Sequence, residues 1–391
     1  MTLALPEAVL SRIFVFFVES TINPATFPCV EPNPAQGPLL VSQISKRWRR
    51  TSFATPSLWA ALYVGSKWNL LLLKLWLDRS GDEALCLQLN MAYDEDQMAL
   101  YPITTREIVK LFAAQIHRWK DVKFATGSLR ESSNLRLEEV GLEKAISLEN
   151  LTIYIVDPYD YLVMKNHTRL LAAIPSIPLL KSFRWTSVYC PILINHPTWS
   201  SLTCIRLSTG LDMDQVVSFL THCTSVFEVY LDCITNNFFD GTYTPTTLSR
   251  LRKLCITDSA CDFTSVLRYF TLPLLRVLQF QSFDICHKSS ENLALFLERS
   301  GCTLQTLSIV DYDMSMDVLW ILLCTPGLEN IPSLSLCTRR RVEVVWILEA
   351  FRRCNGDATV SHVQDYMGGK WIGRGEVNWS DMHGQFLKQC H

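Results

Sequence analysis

Apolar positions along this chain follow two rhythms, a helical one near the start and a strand-like one through the middle. Leu10, Ile13, Phe14 and Phe17 stand at i, i+3, i+4 and i+7, which places four apolar side chains on one helical face. Pro6 fits the first helical position, where a missing N–H is harmless, and Glu7 falls in the first turn, where negative charge complements the helix dipole. Val41, Ile44, Ser45 and Trp48 repeat the spacing and leave Lys46, Arg47, Arg49 and Arg50 mostly on the other side. Thr55 and Pro56 read as an N-cap followed by a proline at the next helix start, with Leu58 and Trp59 as anchors. Trp68, Leu71, Leu72 and Leu75 form a further helical stripe that stops at Ser80-Gly81, after which Leu85, Leu87 and Leu89 alternate as a strand does.

The second rhythm is an apolar residue followed by others three and five positions later. It occurs at Trp119, Val122, Phe124; Leu148, Leu151, Ile153; Leu180, Phe183, Trp185; and Leu202, Ile205, Leu207. It continues at Val226, Val229, Leu231; Leu251, Leu254, Ile256; Leu275, Leu278, Phe280; and Leu304, Leu307, Ile309. The starts recur roughly every 22 to 32 residues, which overlaps the period of leucine-rich repeats. Short helical segments fall between several of these strands, including 213–223, 263–270, 292–300 and 316–324. One such unit cannot bury its own apolar face, so the pattern predicts stacking into a solenoid. At Leu328 and Ile331 the third position is Ser333, which reads as the end of the array. Val342, Val345, Trp346 and Phe351 then mark a terminal helix over 341–354 suited to cover an exposed edge. The remaining tail carries Tyr366, Trp371, Trp379 and Phe386, aromatics that suit folding back on the body or binding a partner.

The fold class these patterns predict is α/β: a three-helix module over 1–64, an irregular leucine-rich-repeat solenoid shaped as a horseshoe or arc over 65–338, and a capping helix with a tail over 339–391. Within the first segment, Leu5-Pro6-Glu7, Val9-Leu10, Ile13-Phe14, Val41, Lys46-Arg47-Trp48 and the run from Ala54 to Trp59 resemble an F-box or F-box-like motif. The resemblance covers about a sixth of the chain and implies docking on a Skp-type adaptor and, through it, attachment to a cullin-based ubiquitin ligase. Carried over position by position, it implies an adaptor-binding set of Leu5, Pro6, Val9, Leu10, Ile13 and Trp48, some of which must instead form the module's own core. The sequence departs from a compact F-box at 23–38, where Pro24, Pro28, Pro32, Pro34 and Pro38 occupy what is otherwise a short connection. The segments beyond the module resemble divergent leucine-rich repeats.

Composition adds mainly exclusions. A chain of 391 residues with 48% hydrophobic content can bury a sizeable core. A net charge of −2, with basic runs confined to 46–50 and 339–341, argues against nucleic acid as a partner. No apolar run reaches the roughly 18 to 20 residues that span a bilayer, so no membrane association is expected. The fourteen cysteines form no C-x-x-C pair, which predicts reduced thiols in an intracellular protein, cytoplasmic or nuclear, with no structural metal.

The search for catalytic chemistry finds no nucleophile elbow, no HExxH and no kinase signature. The glycine-rich stretch 368–375 lacks a predicted strand before it and the spacing of a phosphate loop. No cofactor is expected. The leading expectation is a non-catalytic substrate receptor of a Skp–cullin–F-box ubiquitin ligase, with the repeats binding a protein target. Tyr154, Arg184, Arg206, Tyr230 and Gln279, which flank the strand anchors, are the candidate target-binding residues. Two readings stand beside it: a repeat-protein scaffold working outside ubiquitin transfer, and a thiol hydrolase built on one of the cysteines.

Overall fold

The structure, a computed structural model, describes residues 5–21, 29–65, 69–91, 101–126, 140–155, 171–187, 197–235, 245–259, 264–282, 287–310, 325, 328, 331–338 and 360–365. The chain divides into two compact units, Met1–Leu202 and Thr203–His391.

In the first unit, helix α1 (Glu7–Thr21) is followed by α2 (Gly37–Ile44) and α3 (Lys46–Phe53). Leu10, Phe14 and Val18 of α1 are buried, and the Phe14 ring meets Trp48 at 4.8 Å. The continuous helix expected across Val41 to Trp48 is instead broken at Ser45. That residue is extended, at φ −158° and ψ 164°, and its hydroxyl accepts from the Trp48 backbone N–H at 3.1 Å. A serine N-cap starts a new helix here, and the register change leaves Ile44 exposed while Trp48 turns inward. Thr55 does not cap the 3₁₀ turn Pro56–Trp59; its hydroxyl donates back to the Thr51 carbonyl. Trp59 is fully buried, donates Nε1–H to the Ser52 carbonyl at 2.9 Å and packs edge-on against Trp76.

Strand β1 (Ala61–Val64) follows directly and pairs in parallel with β2 (Leu85–Met91). Trp59, Leu62 and Val64 thus carry the same three-and-five spacing as the later strands, and all three are buried. Helix α4 (Leu70–Arg79) joins β1 to β2, with the Asn69 side chain accepting from the N–H groups of Leu71 and Leu72. Its buried side is Leu73, Trp76 and Leu77, whereas Leu71 and Leu75 face solvent. A run that is apolar at nearly every position has no polar stripe to fix which face turns inward, so the predicted stripe lay on the wrong side. Beyond α5 (Tyr101–Ala113), β3 (Trp119–Thr126), β4 (Asn150–Ile155) and β5 (Ser182–Thr186) extend the sheet in chain order, all parallel. Val30, inside the proline-rich insert, bridges to Leu62, and its carbonyl accepts from Tyr63 N–H at 2.8 Å. The insert therefore covers the free edge of β1.

The second unit has strands β6 (Cys204–Leu211), β7 (Glu228–Ile234), β9 (Lys253–Ser259), β11 (Val277–Ser282), β12 (Thr306–Val310), β13 (Ser333–Thr338) and β14 (Val360–Asp365), again parallel and in chain order. Short strands β8 (Thr246–Thr247) and β10 (Phe270–Thr271) pair separately. Helices α6 (Met213–His222), α7 (Thr264–Leu267) and α8 (His287–Ser300) lie in the connections. The start of α6 is fixed by a capping box, Asp212 accepting from Gln215 N–H at 2.7 Å while the Gln215 side chain accepts from Asp212 N–H. Every residue of the eight expected apolar triads, from Trp119 to Ile309, is buried. At roughly 1.5 to 3 kcal/mol per large side chain, these inward rows are the main source of stability.

The expected fold class needs correction. The described chain is a mixed α/β protein built on large parallel sheets, not a three-helix module leading into a leucine-rich-repeat solenoid of horseshoe form. β1 arises inside the segment expected to be wholly helical, and the connections vary between α-helix and short 3₁₀ turns such as Leu142–Lys144 and Ile174–Ser176. The apolar triad reports only that one strand face is buried, in alternation with a less buried one. The array also does not end at Ser333: Ile331 and Leu334 are buried, and β13 pairs with both β12 and β14. The triad is present there, shifted to Ile331, Leu334 and Leu336. β14 forms within the expected tail and precedes the glycine-rich stretch, which lies outside the described residues, as do the expected capping helix over 341–354 and the helical segment 316–324.

Candidate functional site

Two surfaces bring together residues singled out from the sequence. On α1 the inward stripe of Leu10, Phe14 and Val18 anchors the helix, and a second apolar stripe at Val9, Ile13 and Phe16, continued by Leu5 just before the helix, remains exposed. The exposures of these four are 49%, 42%, 43% and 73%. Pro6 is also exposed, and its carbonyl accepts the N–H groups of Val9 and Leu10, fixing the first turn. Arg47 donates to the Leu5 carbonyl and Arg50 pairs with Glu7, so α3 holds the start of α1 in place. Of the expected adaptor-binding set, Leu5, Pro6, Val9 and Ile13 share the open face. Leu10 is buried in the module core, and Trp48 is half-buried against Phe14. Phe16 was not anticipated; its spacing from Val9 and Ile13, at i+7 and i+3, is the sequence signal that identifies it.

The second surface is the polar face of the strands. In the first unit, Tyr154 lies opposite Thr186, and Arg184 lies opposite Thr152, so these two occupy different rows. In the second unit, Arg206, Tyr230 and Gln279 fall into one lateral row across adjacent strands, with Cys255 between the last two. The Arg206 guanidinium sits 3.9 Å from the centre of the Tyr230 ring, and Lys253 Nζ lies 5.0 Å from it. The Tyr230 hydroxyl donates to Glu228 at 2.9 Å. Asp232 accepts from the hydroxyls of Ser208, at 2.5 Å, and Thr257. Glu228 and Asp232 flank Tyr230 at i−2 and i+2 on the same face of β7, a signal present in the strand alternation, whereas strand register alone brings Lys253 of β9 beside it.

Hydrogen bonding to Tyr230 raises the Lys253 pKa, which keeps its ammonium charged. Burial pushes the thiols in the opposite sense from a nucleophile: Cys29 rises to about 12 and Cys255 to about 11, and Cys86, Cys223 and Cys302 also move up. These five thiols are protonated at neutral pH. Among the described residues no group of His, Cys, Asp and Glu is arranged to hold a metal ion, and no described helix is long and apolar enough to cross a membrane. No protein-family model matches this chain, and no curated protein resembles it in sequence.

Proposed function

We propose that this chain is a non-catalytic substrate-recognition subunit of a Skp–cullin–F-box ubiquitin ligase, with α1 docking on the Skp-type adaptor and the strand face receiving a protein target. The observation that carries the reading is the exposed stripe of Val9, Ile13 and Phe16, with Leu5 just before it, on a helix already anchored through its opposite side. A contiguous apolar surface on an otherwise satisfied module is what a protein interface needs at its centre. No catalytic group is required for the role, because a receptor acts by raising the local concentration of its target near a reactive carrier.

Co-elution of the purified chain with a purified Skp-type adaptor, followed by addition of a cullin, tests the proposal. The expected result is a stoichiometric complex that is lost in the Val9→Asp, Ile13→Asp double variant while thermal unfolding of the free chain is unchanged. Co-elution that survives this substitution, or no complex with the unmodified chain, overturns the assignment.

A further inference from the structure

The polar face of the second unit holds an imbalance between donors and acceptors. Its two nearest carboxylates are already engaged by hydroxyls, Glu228 by Tyr230 and Asp232 by Ser208 and Thr257. Its cations are not engaged in the same way. Arg206 is held only by the face of the Tyr230 ring and has no hydrogen-bond acceptor among the described residues. Lys253 Nζ lies 5.0 Å from the centre of the same ring, and no carboxylate comes within salt-bridge distance of either cation among the described residues. A guanidinium carries five N–H donors in a planar fork suited to bidentate carboxylate binding. The Tyr230 ring holds the guanidinium carbon 3.9 Å from its centre, which limits the freedom of that fork. All three side chains are half-buried, on adjacent strands β6, β7 and β9, so little ordering is required when an anion arrives.

We propose that Arg206, Tyr230 and Lys253 form a binding site for an acidic peptide segment, whose Asp or Glu side chains bridge the two cations beside the tyrosine ring. The inference deepens the proposed function by naming the chemistry of the target, and it rests on that reading only in taking the segment to belong to a ligase substrate. Charge complementarity selects the occupant. A carboxylate supplies the acceptors that the cations lack, while the satisfied Glu228 and Asp232 beside them disfavour a densely charged polyanion.

The test uses the full chain without adaptor, so it is independent of docking through α1. A fluorescein-labelled peptide alternating glutamate and glycine is titrated by fluorescence polarisation, beside a counterpart with glutamine for glutamate. The expected result is binding of the glutamate peptide alone, weakened roughly ten-fold by Arg206→Ala and by Lys253→Ala. Arg206→Lys should fall between, since it keeps the charge and loses the fork. Thermal unfolding of each variant reports whether the sheet is intact. Should an alanine variant fail to fold, the salt dependence of the unmodified chain serves instead, with affinity expected to fall several-fold between about 0.05 and 0.5 M NaCl. Equal binding of the glutamine peptide, absence of binding, or unchanged affinity in folded alanine variants overturns the proposal. So does a clear preference for a phosphoserine peptide or a single-stranded oligonucleotide over the glutamate peptide.

Discussion

Along α1 and just before it, Leu5, Val9, Ile13 and Phe16 turn apolar atoms to solvent, whereas on β6, β7 and β9 the outward positions carry Arg206, Tyr230, Asp232 and Lys253. Both surfaces rest on a fully buried opposite side. Their difference follows from how each element is supported. A helix anchored by one stripe can carry a second apolar stripe without losing its fold, because Leu10, Phe14 and Val18 already decide its orientation. A strand alternates strictly, so polar groups at every second position are what keep the register from slipping by one. The first surface is suited to contacts driven by water release, the second to contacts driven by charge and hydrogen bonds.

The comparison can be broken most severely at Phe14, which shares α1 with Phe16 but is buried. Phe14→Ala should cost about 3 to 5 kcal/mol in urea unfolding, while Phe16→Ala should leave stability within about 0.5 kcal/mol. Equal effects would mean that the two stripes are not distinct. Next in size is the proposed adaptor interface. Ile13→Asp with Phe16→Asp should reduce adaptor affinity by roughly 30-fold or more, measured by calorimetry, since anchors commonly contribute above about 1 to 2 kcal/mol each. Salt then separates the two surfaces. Raising NaCl should weaken the acidic peptide several-fold and change adaptor affinity by less than about two-fold. A small effect is expected from Glu7→Gln, because the Glu7–Arg50 pair is solvent-exposed and such pairs contribute little.

Asp121 on β3 gives the pH counterpart. Burial raises its pKa, the nearby Lys123 and the Asn150 amide at 3.3 Å acting in the opposite sense. A carboxyl whose folded pKa lies above its unfolded value binds more protons in the folded state, so its contribution to stability falls as pH rises through that window. At neutral pH its charge is destabilising. Asp121→Asn should therefore raise the melting temperature slightly at pH 7 and leave it unchanged at pH 3, as read by circular dichroism.

Much of the framework was legible from spacing alone. The eight apolar triads identified the strands because period-2 burial is a local consequence of the pleat, and each residue in them is buried. Trp59, Leu62, Val64 carried the same signature but sat directly behind a turn that resembled a helix start, and the short strand went unread. The outer stripe of α1 was half legible. The motif joins Leu5, Val9 and Ile13 to the buried Leu10, because a motif position does not say which side of a helix it occupies.

The sequence by itself determined where the eight strands that carry the apolar triads run and which of their residues turn inward, since alternating burial depends on neighbours within a few positions. Only the tertiary structure decided the rest. It chose the buried side of the leucine-rich α4, broke the α2–α3 segment at Ser45, and set the proline-rich insert against β1 through Val30. It also aligned Arg206 on β6 with Tyr230 on β7 and brought Lys253 of β9 to the same ring. These residues lie more than twenty positions apart in the chain. Their meeting is fixed by strand register, a long-range choice made by the covered face of the sheet, and no local period encodes it.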